Sequence, residues 1–196
     1  GDSLSFGFTL QSWWQMYTQE LSRPFRETNY QPEFFYFAPL DFEILGGKTG
    51  LFLGIEHQSN GQSQSRQLSR SWNRIYANFI FAKDNFALSF RPWWKIPEGD
   101  KVTTPEDPGN DNPDISDYMG SFELMTVYKW ENIELSAMGR ENFKEHKGAV
   151  EIGVTFPLIG NIRGYFQYFN GYGESLIDYN YSQERFGIGV ALNDYL

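Results

Sequence analysis

The chain of 196 residues carries a formal net charge of -9, is 18% aromatic and contains no cysteine. That balance excludes a nucleic-acid partner, which needs a basic patch, and excludes disulfide stapling. No apolar run approaches the ~20 residues of a membrane helix. The opening "GDSLSFGFTL" lacks the basic and long apolar regions of a signal peptide, so the sequence reads as a mature protein or a fragment.

Period-two alternation dominates, and helical periodicity appears nowhere at length. In chain order, strands are predicted over 3–16, 32–43, 50–58, 71–82, 86–95, 118–130, 132–142, 148–156, 162–170 and 184–195. The first ends in Trp13-Trp14. In the third, "GLFLGIEHQS" places Leu51, Leu53, Ile55, His57 and Ser59 on one face. In the fourth, "SWNRIYANFIF", Asn73, Ile75, Ala77, Phe79 and Phe81 share a face opposite Trp72, Arg74 and Tyr76. Later strands alternate as cleanly: Phe86, Leu88 and Phe90; Val150, Ile152 and Val154; Phe186, Ile188, Val190 and Leu192.

The second face of these strands carries Glu56, Arg74, Arg91, Glu123, Lys129, Glu134, Arg140, Glu151, Arg163 and Arg185, with many small residues. A β-sandwich exposes such a face, whereas a membrane barrel turns it into the lumen and gives the apolar face to lipid. Loop lengths favour the barrel. Connections at 46–49, 83–85, near 131 and at 157–161 are short; those at 17–31, 58–70, 96–117 and 171–182 are long, and 143–147 breaks the rule. Trp13-Trp14, Trp72, Trp93-Trp94 and Tyr195 near strand ends suggest an interfacial girdle. The fold class is therefore all-β, an antiparallel up-and-down transmembrane barrel, with a soluble sandwich or lipocalin-like barrel as the alternative.

On an inverted barrel His57, Ser59 and Asn73 stand on the outer wall, at the long-loop end of adjacent strands. Imidazole, hydroxyl and amide are the parts of a nucleophilic hydrolase, in which His takes the Ser proton and a third group orients the ring. Taken alone, H-x-S is a common and uninformative pattern. Polar groups on a lipid-facing stripe are costly and call for a reason, although the cost falls near the interface. A catalytic site at that depth suits a lipid ester. The acidic loop 96–117 reads either as a solvated surface loop or as a divalent-ion site centred on Asp111. His146 reads as an exposed turn residue, and the inward charges as a network plugging the lumen.

The segments "SWWQ", "PFRETNYQPEFF", "HQSNGQS", "SRSWNRIY", "DNPDISDYMG" and "GYGESLIDYN" resemble the bacterial outer membrane phospholipase A family, from about residue 9 to the C-terminus. The resemblance implies a twelve-stranded outer-membrane barrel hydrolysing acyl esters of phospholipids in the outer leaflet. It also implies a Ser-His-Asn triad, a calcium requirement and activation by dimerisation. By the same resemblance Ser59 is the nucleophile, His57 the general base and Asn73 the orienting residue. Calcium positions are Gln62 and Ser69 in the triad loop, Ser22 contributed by the partner protomer, and Asp111 in the monomeric form. The cation and the Ser59 backbone amide would share the oxyanion. Gln62 departs from the family's usual basic residue, which bears on head-group preference if that charge steers the phosphate. The loop from Gln62 to Ser69 is slightly longer than the family pattern. Residues 1–196 are expected to form one barrel domain, with a further N-terminal segment of about two strands accounting for the difference between ten strands and twelve, and a natural ten-stranded variant as the alternative.

The leading expectation is a calcium-dependent phospholipase whose partners are phospholipid, outer-membrane lipid and a second copy of itself. A passive barrel, either a small porin or a structural protein, is the alternative of a different class. A soluble lipid-binding barrel is a third.

Overall fold

The computed structural model describes all residues except Arg23, Ser65, Arg66, Val102, Thr103, Pro105, Glu106, Pro108 and 193–196, and it leaves the Leu21 side chain aside. Tyr195, named above, and Glu106, one of the acids of loop 96–117, thus lie outside the described residues. Ten strands follow one another as β1 (Ser3–Trp14), β2 (Phe25–Ile44), β3 (Gly47–Ser59), β4 (Ser71–Lys83) and β5 (Phe86–Lys95), then β6 (Phe122–Trp130), β7 (Ile133–Asn142), β8 (Lys147–Ile159), β9 (Ile162–Gly171) and β10 (Gln183–Ala191). Each pairs antiparallel with its sequence neighbours in a single sheet ordered β1 to β10. The sheet curls on itself. A polar cavity of about 240 Å³ is lined by side chains from all ten strands, from Gln11 on β1 to Arg185 on β10.

Two-residue turns close one end, and the first residue of each has positive φ: Leu45, Asp84, Glu131 and Gly160. Such turns match the right-handed twist of the strands they join. Longer connections lie at the other end. His146, exposed and with positive φ, turns the shorter one there.

The faces are inverted as predicted. Phe34, Ile55, Ile75 and Trp94 form a cross-strand row on the outer wall, with Ile55 51% exposed. Inside, Glu56 is 1% exposed and ion-paired with both Arg74 and Arg91. Arg91 also reaches Glu33 at 3.6 Å, and the Tyr76 hydroxyl donates to Glu33 at 2.6 Å. Buried charges need such partners. No helix among the described residues is long and apolar enough to cross a membrane; the strands have the length that a barrel needs.

Three expectations change. The second strand starts at Phe25 rather than 32, because Glu27 and Asn29 turn inward and extend the ladder. Residues Ile115–Met119 form a short helix, α1, instead of starting a strand at 118. Trp72 is not in a girdle. It is fully buried with Ile115, Met119, Leu176 and Tyr179 in a small hydrophobic cluster capping the loop end of the lumen. Trp94 and Trp130, both exposed at strand ends, do suit an interfacial belt. The cap is pinned by "GYGESLIDYN". The Leu176 and Ile177 amides donate to Asn29 and Glu27 of β2, and Arg26 forks onto Asp178. Tyr179 donates to Asp114 at 2.5 Å; burial foremost, and that bond, raise its phenol above the ordinary value.

Candidate active site

Antiparallel register sets His57 of β3 directly opposite Asn73 of β4 on the outer wall. One step toward the apolar band lies the Phe34, Ile55, Ile75 and Trp94 row. One step toward the loops lie Tyr30, Ser59 and Ser71. The polar row therefore stands where the lipid-facing band gives way to loops.

His57 Nδ1 and Asn73 Oδ1 are 2.9 Å apart. An amide oxygen only accepts, so Nδ1 carries the proton and donates. That leaves Nε2 as the free base. Ser59 shares the face, roughly 6.6 Å along the backbone from His57 by strand rise. Among the described residues the Ser59 hydroxyl is not hydrogen-bonded to the ring, a looseness common before substrate binds. The other end of the Asn73 amide donates from Nδ2 to Glu98 Oε1 at 2.9 Å.

The loop between β3 and β4 is organised by Asn60, buried at its base. Asn60 Oδ1 accepts from the amides of Arg70 at 2.9 Å and Gln62 at 3.3 Å. Its Nδ2 donates to the Leu68 carbonyl and to Glu27. Sequence reading passed over Asn60; Asn-Gly, a frequent turn pair, was the available signal. Asn112, fully buried, likewise accepts from the Ser71 amide at 3.0 Å.

Of the expected calcium positions, Ser69 and Asp111 meet: Ser69 Oγ donates to Asp111 Oδ2 at 2.6 Å. Asp111 Oδ1 is buried and ion-paired with the Lys101 ammonium at 2.6 Å. A cavity of about 240 Å³ opens between Gln64, Ser69, Lys101 and Asp111. Gln62 sits at the loop's start. Ser22 is exposed in the connection between β1 and β2, in a left-handed conformation, and no described contact joins it to the others. Among the described residues no three His, Cys, Asp or Glu side chains gather as a metal cluster. One carboxylate beside neutral oxygens is donor chemistry suited to a hard cation such as calcium, and here the Lys101 ammonium satisfies that carboxylate.

An apolar outer wall that carries an imidazole, an amide and a hydroxyl at neighbouring positions defines the class: a membrane-type barrel with a polar patch on its outside. A family model described as Phospholipase A1 matches residues 1–192, and the chain belongs to that family. It is 40% identical over 197 residues to Phospholipase A1 of Klebsiella pneumoniae, covering 99% of this chain and 65% of the relative. Over 192 residues it is 40% identical to Phospholipase A1 of Escherichia coli K12, covering 97% and 62%. The chain thus spans less than two thirds of the length of these relatives. Outer membrane phospholipase A from Escherichia coli superimposes with a TM-score of 0.88 at 39% identity, covering 98% of this chain and 71% of that one. The Salmonella typhi outer membrane phospholipase dimer with bound calcium gives the same values. An asparagine-to-alanine active-site mutant of the Escherichia coli protein matches at a TM-score of 0.88 and 38% identity. The fold is the antiparallel up-and-down transmembrane β-barrel of these structures.

Proposed function

We propose that the protein is a calcium-dependent outer-membrane phospholipase. It hydrolyses acyl esters of phospholipids in the outer leaflet, with Ser59, His57 and Asn73 as its triad, and is activated by dimerisation. The observation that carries the reading is the bond from His57 Nδ1 to Asn73 Oδ1 on the wall, immediately above the apolar row. The family membership, and an active-site asparagine in a similar structure, support it.

In this reading Ser59 Oγ attacks the acyl carbonyl while His57 Nε2 takes the hydroxyl proton. The resulting imidazolium, held through Nδ1 by Asn73, returns that proton to the departing lysophospholipid oxygen. Water then enters by the same route and frees the fatty acid and Ser59. Gln62 and Ser69, with Ser22 of a second copy, would hold the calcium whose charge opposes that of the oxyanion, and Asp111 would hold calcium in the monomeric form. A lipase surrounded by substrate needs an off state, and a site shared between two copies makes activity depend on their association. The ten strands are proposed to belong to one barrel domain. Further strands between the free edges of β10 and β1 would complete it, in keeping with the greater length of the relatives.

Fatty-acid release from phospholipid micelles, with calcium or chelator, tests the reading in the parent and in Ser59→Ala. Calcium-dependent release that vanishes in the variant is expected. No release from folded, dimer-competent parent would overturn it and favour a passive barrel. The porin form of that alternative needs an open lumen, whereas this lumen is crossed by the Glu56, Arg74 and Arg91 pairs and capped around Trp72.

A further inference from the structure

We propose that Glu98 is a positioning residue that fixes the orientation of the Asn73 amide and, through it, the tautomer of His57. The inference rests on the triad reading above. An asparagine amide has an accepting end and a donating end of nearly the same shape. Turned one way, Asn73 offers Oδ1 to His57, so Nδ1 keeps its proton and Nε2 stays basic. Turned the other way, it offers an N–H to Nδ1, the proton moves to Nε2, and the ring has no lone pair for the Ser59 hydroxyl. Nothing in the amide itself chooses between these states.

Glu98 makes the choice. Its carboxylate only accepts, and Asn73 Nδ2 donates to Oε1 at 2.9 Å. The wrong orientation would set two oxygens against each other. The same bond polarises the amide and adds negative character to Oδ1, offsetting the weaker hold that an amide has on imidazolium than a carboxylate. Local backbone keeps Glu98 in reach. The Ile96 amide donates to the Asn73 carbonyl at 2.8 Å, continuing the ladder past the end of β5, and Pro97 restricts the next φ. The arrangement also gives the third member of the triad a reason to be asparagine. An aspartate at 73 would place a second carboxylate against Glu98.

The test compares parent, Glu98→Ala, Glu98→Gln, Asn73→Ala and the Asn73→Ala/Glu98→Ala double variant, all folded in detergent micelles with calcium. Glu98→Ala is expected to lower kcat about ten- to a hundred-fold with KM little changed, as loss of an outer supporting group does. Glu98→Gln can present either end of its own amide, so it no longer excludes the wrong Asn73 orientation and is expected to recover only part of the rate. The double variant should be no slower than Asn73→Ala alone, because Glu98 acts through Asn73. Nitrogen-15 shifts of the imidazoles give a readout independent of turnover. The chain has two histidines, so His146 serves as an internal reference. The parent should show His57 in its Nδ1–H form, and Glu98→Ala should show a mixture with Nε2–H. An unchanged tautomer in Glu98→Ala, or an equal loss of rate with and without Asn73, would overturn the proposal. If the parent releases no fatty acid, the phospholipase reading fails, while the tautomer comparison still decides the role of Glu98.

Discussion

Asn73 is bonded at both ends, to His57 and to Glu98, so removing its amide frees the imidazole and strands a carboxylate. Asn73→Ala is expected to cost roughly a hundred-fold in kcat, less than the ~10⁴ seen when a carboxylate orienter is lost elsewhere. Initial rates of fatty-acid release check this. At the calcium position proposed for the monomeric form, Lys101 holds its ammonium against Asp111 Oδ1. Lys101→Met removes that competitor, so half-saturation by calcium is expected at a several-fold lower concentration, read by calorimetric titration of calcium into the monomeric protein in micelles. The sequence revealed these residues unevenly. Strand period placed His57 and Ser59 on one face and Asn73 on the matching face of the next strand, while their proposed roles came from the family resemblance. Glu98 lies 25 positions along the chain from Asn73 in an acidic loop, and only a tertiary contact distinguishes it from the other acids there.

At the scale of elements, the loop between β3 and β4 depends on one buried amide. Asn60 satisfies groups at both ends of the loop and one oxygen of Glu27, which also receives the Ile177 amide from the cap. Asn60→Ala leaves several of these groups buried without partners, at about 1–3 kcal/mol each where water cannot reach them. The expected result is faster proteolysis within residues 61–69 together with lost activity, measured by timed digestion of micelle-embedded protein. Strand order and turn positions were legible because alternation and two-residue turns are local signals. The early start of β2 was not. Arg26, Glu27 and Asn29 look like loop residues until the cap segment supplies their partners, Asp178, Ile177 and Leu176. Helix α1 was missed for the same reason: five residues are too few to show a period, and Ile115 and Met119 are buried by contacts from distant segments.

For the whole molecule, inversion assigns opposite consequences to substitutions on the two faces. Inside, Glu56 neutralises Arg74 and Arg91 together, so Glu56→Leu leaves two cations enclosed without their shared partner. Breaking such a buried pair costs about 3–5 kcal/mol, read as a lower urea midpoint for unfolding from vesicles. Outside, Ile152 is 46% exposed near the middle of β8, between Ala137 and Tyr168 on the neighbouring strands. In a water-soluble barrel, Ile152→Lys at so open a position would change stability by about 0.5 kcal/mol or less. With lipid against that wall, the ammonium must enter hydrocarbon near the bilayer centre, at about 2–4 kcal/mol. The expected outcome is a clear loss of folding stability in vesicles. A Lys replacement for Leu158, exposed toward the short-turn end of the same strand, should cost much less, because the penalty fades toward the interface. The depth dependence is the discriminating feature. A soluble fold has no axis along which these two positions should differ, whereas a barrel wall at the membrane does, and the same gradient lets polar His57 and Asn73 stand where the apolar band ends.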